Sequence, residues 1–168
     1  MNIRKAEKKD ASRLAEILIF AKRTAYRPIF ENDYVSFQEM QVLDLALDFR
    51  DRPDALREIY VYDDGIVKGM MHVEKGEDGI KKLDLRELYI DPFFQGEGVG
   101  SCLMRAFLSI AEREKAEQVF LWVLEENKRA RGFYERFGYR PSMERKVQPG
   151  TDKYLVKYEK TCYSSLIT

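Results

Sequence analysis

Apolar and polar positions follow two different rhythms along this chain. Ile3 to Ala6 suits a short first strand, and Asp10 then precedes Leu14, Ile17, Leu18 and Ala21, which share one face at helical spacing. Pro28 interrupts the stretch from Thr24 to Phe37. Val42, Leu43, Leu45, Ala46, Leu47 and Phe49 then predict a second helical piece, closed by the turn near Pro53. From Glu58 the rhythm shortens. Ile59 to Tyr62 reads as a strand, Asp63-Asp64-Gly65 as a hairpin turn and Ile66 to Glu74 as the returning strand. Gly76 to Gly79 marks a further turn, and Leu83 to Ile90 the next strand, ended by Asp91-Pro92 because proline cannot donate to a ladder.

Beyond Pro92 the helical spacing returns in Val99, Leu103, Ala106, Phe107 and Ile110, followed by a continuous apolar run, Val119 to Leu124, like a strand buried on both faces. Strand, helix and strand in that order imply that the two strands lie parallel in one sheet. Lys128 to Phe137 predicts another helix, with Ala130, Phe133, Tyr134 and Phe137 on one face and Gly138 as its stop. Tyr139 to Val147 and Tyr154 to Tyr158 are the last strand candidates, split by Gln148-Pro149-Gly150. Residues 1–160 are expected to form a single α/β (α+β) domain, and the tail from Thr161 to Thr168 stays unassigned.

Composition narrows the classes of partner. Lys plus Arg and Asp plus Glu both number 29, so no global excess of basic charge exists to attract nucleic acid. No apolar run reaches a membrane span or a secretory signal, and a soluble, unprocessed, cytoplasmic chain is expected. Cys102 and Cys162 lie far apart, without a histidine cluster, so neither a zinc site nor a disulfide framework is expected.

The chemistry concentrates after the strand ending at Ile90. A strand feeding a glycine-rich turn that opens a helix leaves unpaired N–H groups at the positive end of the helix dipole, where phosphate binds. Counting from Gly96 and Gly98 puts Ser101 where a dinucleotide fingerprint needs its third glycine, and no G-K-[ST] is present. The segment LYIDPFFQGEGVG, Leu88 to Gly100, instead resembles the signature of the GCN5-related N-acetyltransferase (GNAT) family, with Gln95, Gly98 and Gly100 in its defining places. Downstream, Asn127 and Gly132-Phe133-Tyr134-Glu135-Arg136-Phe137-Gly138-Tyr139 resemble the family's second motif. The likeness covers Glu58 to Tyr139 well and the N-terminal third only in its helical outline.

This resemblance implies a mixed, mostly antiparallel sheet of about six to seven strands with helices on both faces. It also implies acetyl-coenzyme A as cofactor. Gln95, Gly96, Glu97, Gly98, Val99, Gly100 and Ser101 would hold its pyrophosphate, main-chain groups of Leu88, Tyr89 and Ile90 its pantetheine amides, and Asn127 the same arm or merely a helix N-cap. An alkylammonium of pKa ~10.4 is neutral in about one molecule in 2,500 at pH 7, so a base should help. Glu87 is the candidate base, or else a carboxylate paired with a neighbouring cation; Tyr134 is the candidate acid for the departing thiolate, or else a core aromatic.

At the acceptor end, Tyr26, Phe30, Tyr34 and Phe37 would wall a pocket while Glu31 and Asp33 attract an ammonium, or these residues are simply the packed inner and solvated outer faces of a connecting segment. Lys128, Arg129 and Arg131 would meet phosphate or form a solvated helix face, His72 reads as structural or surface, and Cys102 as packing. The leading expectation is acetyl transfer to a small-molecule primary amine by direct attack in a ternary complex. A protein or peptide acetyltransferase and a non-catalytic acyl-coenzyme A sensor are the alternatives. A homodimer through the late strands would suit the architecture.

Overall fold

The computed structural model describes residues 2–76 and 81–162. Seven strands are joined in the order β1-β2-β3-β4-β5-β7-β6: β1 is Ile3–Lys5, β2 Ile59–Asp63, β3 Val67–Lys75, β4 Lys82–Ile90, β5 Gln118–Leu124, β6 Arg140–Val147 and β7 Tyr154–Thr161. Four α-helices accompany them, α1 Ala11–Phe30, α2 Val42–Asp51, α3 Val99–Arg113 and α4 Lys128–Arg136. The described residues fall into two compact units. The first takes in the chain up to His72 together with Glu87–Ala106, and the second Val73–Arg86 with the chain from Phe107 onward.

In the first unit β1 and β3 flank β2 as antiparallel partners, with Arg4 opposite Val61 and Ile59 opposite His72. Its core joins Leu14, Ile17 and Leu18 of α1 to Phe49 of α2, Ile59 and Val61 of β2 and Met70 of β3. Each such side chain contributes about 1.5–3 kcal/mol by leaving water. Arg4 fastens the edge: its guanidinium meets both carboxylate oxygens of the buried Asp10, at 2.7 and 2.9 Å, and also that of Asp63.

Helix α1 runs through Pro28 rather than breaking there. The proline lies within the last turn, so it removes one ladder bond where the helix is about to end. Glu31 then closes it in the left-handed region, φ 50°, donating its N–H to the carbonyl of Arg27. A single π-helical turn, Val35–Glu39, leads to α2 and is held from α1 by Arg23, whose guanidinium donates to the carbonyls of Ser36 and Met40.

In the second unit β4 and β5 are parallel, with Lys82, Leu83 and Asp84 opposite Gln118, Val119 and Phe120. Antiparallel β7 borders β5 along its whole length, and β6 borders β7. Strand β5 is not buried on both faces. Val119, Leu121 and Val123 are buried, whereas Phe120 and Trp122 alternate with them on a face covered by the ammonium groups of Lys157 and Lys146. The edge strand β6 is almost wholly exposed, carries Arg140, Arg145 and Lys146, and shifts register between Pro141 and Arg145, features that discourage further strand pairing. The turn expected at Gly76 to Gly79 falls mostly outside the described residues, as does the tail beyond Cys162. No helix among the described residues is long and apolar enough to cross a membrane.

Candidate active site

The glycine turn is built on a buried anchor. Asp91, the residue after β4, is 2% exposed; its carboxylate accepts the N–H of Phe93 at 2.8 Å and meets the guanidinium of Arg13, on α1, at 2.6 Å. Arg13 also donates to the carbonyl of Val67 and to Glu16, while Asp91 donates its own N–H to the carbonyl of Lys68. The exit of β4 is thereby tied to both α1 and β3.

After a short 3-10 turn, Pro92–Phe94, the chain passes Gln95 and enters the left-handed region at Gly96, φ 88°, and Gly98, φ 82°. A Cβ at either position would meet nothing within 4 Å, so these glycines answer to backbone conformation and an open front, not to crowding. The ladder of α3 begins where Cys102 donates to the carbonyl of Gly98, at 3.0 Å. The N–H groups of Val99, Gly100 and Ser101 precede that first bond and have no acceptor within the helix. Glu97 sends its carboxylate toward Lys68, 3.5 Å away, leaving its main chain to the turn. Positive-φ glycines, free first-turn donors and open space are what a pyrophosphate requires, so these residues fit the donor end of acetyl-coenzyme A.

Beneath the turn, Gly69 of β3 makes room for the start of α3. A Cβ there would lie 2.9 Å from Ile90 Cδ1, 3.0 Å from Val99 Cγ1 and 3.1 Å from Leu103 Cδ1.

Glu87 stands on β4 within the first unit, its side chain 24% exposed. One carboxylate oxygen is 4.0 Å from Lys22 Nζ of α1 and the other 3.9 Å from His72 Nδ1 of β3. Neither Glu87 nor Lys22 makes a side-chain hydrogen bond among the described residues, and the Tyr89 ring centroid lies 5.7 Å from Lys22 Nζ. One helical turn beyond Lys22, Tyr26 places its hydroxyl 3.3 Å from that of Tyr89. Loss of solvation raises the Tyr26 phenol above the ordinary tyrosine range, offset by the Tyr89 hydroxyl and reinforced by the charge of Glu87. Leu88, Tyr89 and Ile90 complete β4, all half-buried.

The other acceptor-side residues divide. Phe30 packs on Tyr26 with ring centroids 5.6 Å apart, whereas Glu31 is an exposed helix cap and Tyr34 is 66% exposed.

In the second unit Asn127 caps α4, its side chain accepting the N–H of Ala130 at 3.2 Å. Tyr134 is half-buried, edge-on to Phe133 and Tyr139. Arg131 turns inward, donating to the hydroxyl of Tyr158 and to the carbonyl of Glu125, each at 2.9 Å, and Tyr158 donates on to Glu135. Unlike an exposed cation, it is thus committed to the fold. Asp84 and Tyr139 are buried with an oxygen each, Oδ1 and the hydroxyl, that has no hydrogen-bond partner among the described residues. Burial pushes the Asp84 carboxyl up to about 6, against the pull of Arg86, Lys146 and Lys157. Among the described residues, no group of three or more His, Cys, Asp or Glu side chains is placed to hold a metal ion.

The sequence pattern of the acetyltransferase (GNAT) family matches residues 22–139, more than half of the chain. The chain belongs to that family. Its GNAT relatives include an uncharacterized N-acetyltransferase of Methanocaldococcus jannaschii, 38% identical over 56 residues, which are 33% of this chain and 25% of that protein. An uncharacterized N-acetyltransferase of Mycobacterium bovis is 32% identical over 77 residues, 46% of this chain and 48% of that protein. The chain thus matches between a quarter and a half of the length of these curated relatives. The GNAT fold is shared with the PaiA N-acetyltransferase of Thermoplasma acidophilum, solved in complex with coenzyme A, at a TM-score of 0.70 and 19% identity over 95% of this chain and 98% of that one.

Sequence reasoning passed over Lys22, set His72 aside and took Asp91 only as the end of a strand. Lys22 and Tyr26 are four apart on a helix and therefore share a face, the one local signal available.

Proposed function

We propose that this GNAT chain transfers the acetyl group of acetyl-coenzyme A to a primary amine of a small molecule, by direct attack while both substrates are bound. The observation that carries the reading is the glycine turn, where Gly96 and Gly98 at positive φ open onto the first-turn N–H groups of α3, an arrangement suited to a pyrophosphate. The bond between nitrogen and acetyl carbon forms as the carbon–sulfur bond breaks. Glu87 takes the proton from the nitrogen, since its carboxylate lone pairs are not spent on hydrogen bonds among the described residues. Tyr134 supplies a proton to the thiolate, a role given to it by its place in the second motif. Asn127 holds the pantetheine arm in addition to capping α4. The free cysteines Cys102 and Cys162 suit a reducing, cytoplasmic setting.

The test is release of coenzyme A thiol by purified protein with a panel of amines. Turnover with members of the panel is expected, and tight binding of acetyl-coenzyme A without thiol release for any amine or peptide would overturn the reading. Tyr134→Phe and Glu87→Gln should each lower turnover by about 10²–10⁴-fold. Both should keep coenzyme A affinity within a few fold. The Glu87→Gln loss should shrink toward pH 10, where solvent deprotonates the amine.

A further inference from the structure

We infer that the acceptor carries a carboxylate beside its amine, and that Lys22 is the residue that selects it. This inference rests on the acetyl-transfer reading and names the substrate class of the same site.

A group meant only to hold Glu87 in place would spend its donors on it. Lys22 does not: its ammonium stands 4.0 Å from the carboxylate, beyond hydrogen-bonding distance, and among the described residues it donates no hydrogen bond at all. Both side chains are half-buried, 28% and 24% exposed, so each opposite charge is kept partly out of water with its hydrogen-bonding capacity intact. An ammonium beside a carboxylate is the complement of a zwitterion. The acceptor's nitrogen meets Glu87, having lost its extra proton to solvent and giving up the next to Glu87 as it attacks, and the acceptor's own carboxylate meets Lys22.

The neighbours agree with that polarity. The Tyr26 and Tyr89 hydroxyls share one hydrogen bond at 3.3 Å, and the raised Tyr26 phenol stays neutral, adding no second negative charge beside Glu87. A second cationic group on the acceptor would face like charge from Lys22 whenever it approached along α1. Diamines are disfavoured by the same residue that welcomes an amino acid.

Matched pairs decide the matter: phenylalanine against phenethylamine, methionine against 3-(methylthio)propylamine, lysine against cadaverine, and each amino acid against its amide. Turnover is read as kcat/KM, and binding by calorimetry in the presence of coenzyme A. At least one carboxylated member is expected to exceed its decarboxylated and amide partners by tenfold or more. Lys22→Met should cut that ratio to below threefold, and Lys22→Arg should restore it. Coenzyme A affinity, measured on every variant, reports that the fold is intact.

Wild-type preference for the decarboxylated or amide partners would overturn the inference, as would a Lys22→Met variant that lowers both members of a pair equally. Absence of both binding and turnover for every carboxylated member overturns it too. Lys22-dependent binding of the carboxylated member without turnover would instead uphold this site and sink the catalytic reading.

Discussion

Asp84 and Glu87 lie three positions apart on β4, and alternation turns their side chains to opposite faces of the strand. Glu87 reaches a polar surround of Lys22 and His72, whereas Asp84 is buried with one oxygen that has no hydrogen-bond partner among the described residues. The buried carboxyl is held up at about 6 against an ordinary 3.8. Between those values the unfolded chain releases its proton while the folded chain keeps it, so Asp84 makes stability fall as pH rises through that window, and the loss is complete above it. Asp84→Asn should therefore stabilise the protein at pH 8 by about 1–2 kcal/mol. The gain should vanish below about pH 4, where the acid is neutral in both states. Chemical denaturation at the two pH values checks this; equal effects at both would mean that Asp84 is ionised and compensated at neutral pH.

At the scale of the element, the turn from β4 into α3 is the part most nearly legible from sequence. Its chemistry depends on residues within a dozen positions of one another, and glycine at positive φ is a local requirement. Gly98→Ala tests it. A Cβ there meets no neighbour, so the cost is conformational, about 1–2 kcal/mol of stability, while the methyl intrudes on the open front. Coenzyme A affinity should fall at least tenfold, measured by titration. A variant that binds coenzyme A normally would remove the turn from the donor site.

Elsewhere local rules misled or fell silent. Proline usually stops a helix, yet α1 passes through Pro28 because only its last turn is affected. Arg131 looks like its exposed neighbours on α4 until Tyr158, on a strand formed much later in the chain, claims it. Glu87 was legible as a candidate base, but Lys22 and His72 were not its visible companions. They reach it through the packing of α1 and the placement of β3, which no spacing in the sequence encodes.

For the molecule as a whole, the equal numbers of acidic and basic side chains give a formal net charge of zero at pH 7 and an isoelectric point near 6.6. No net charge steers a charged ligand to the molecule, so any selection by charge has to come from local groups. Solubility should pass through a minimum between about pH 6 and 7 and recover on either side. Turbidity against pH at fixed concentration measures it; a minimum well outside that range would reveal strongly displaced titrations among the surface charges.

The Arg13–Asp91 pair takes on a further meaning in this light. Arg13 and Lys22 ride on one helix, about 13 Å apart at ~1.5 Å per residue. The first is locked to the residue that launches the glycine turn, and the second faces Glu87. Helix α1 therefore serves as a strut of fixed length between the two places where we propose that phosphate is held and the amine presented. Slack at its anchored end would misalign the two without removing a single group that touches either substrate.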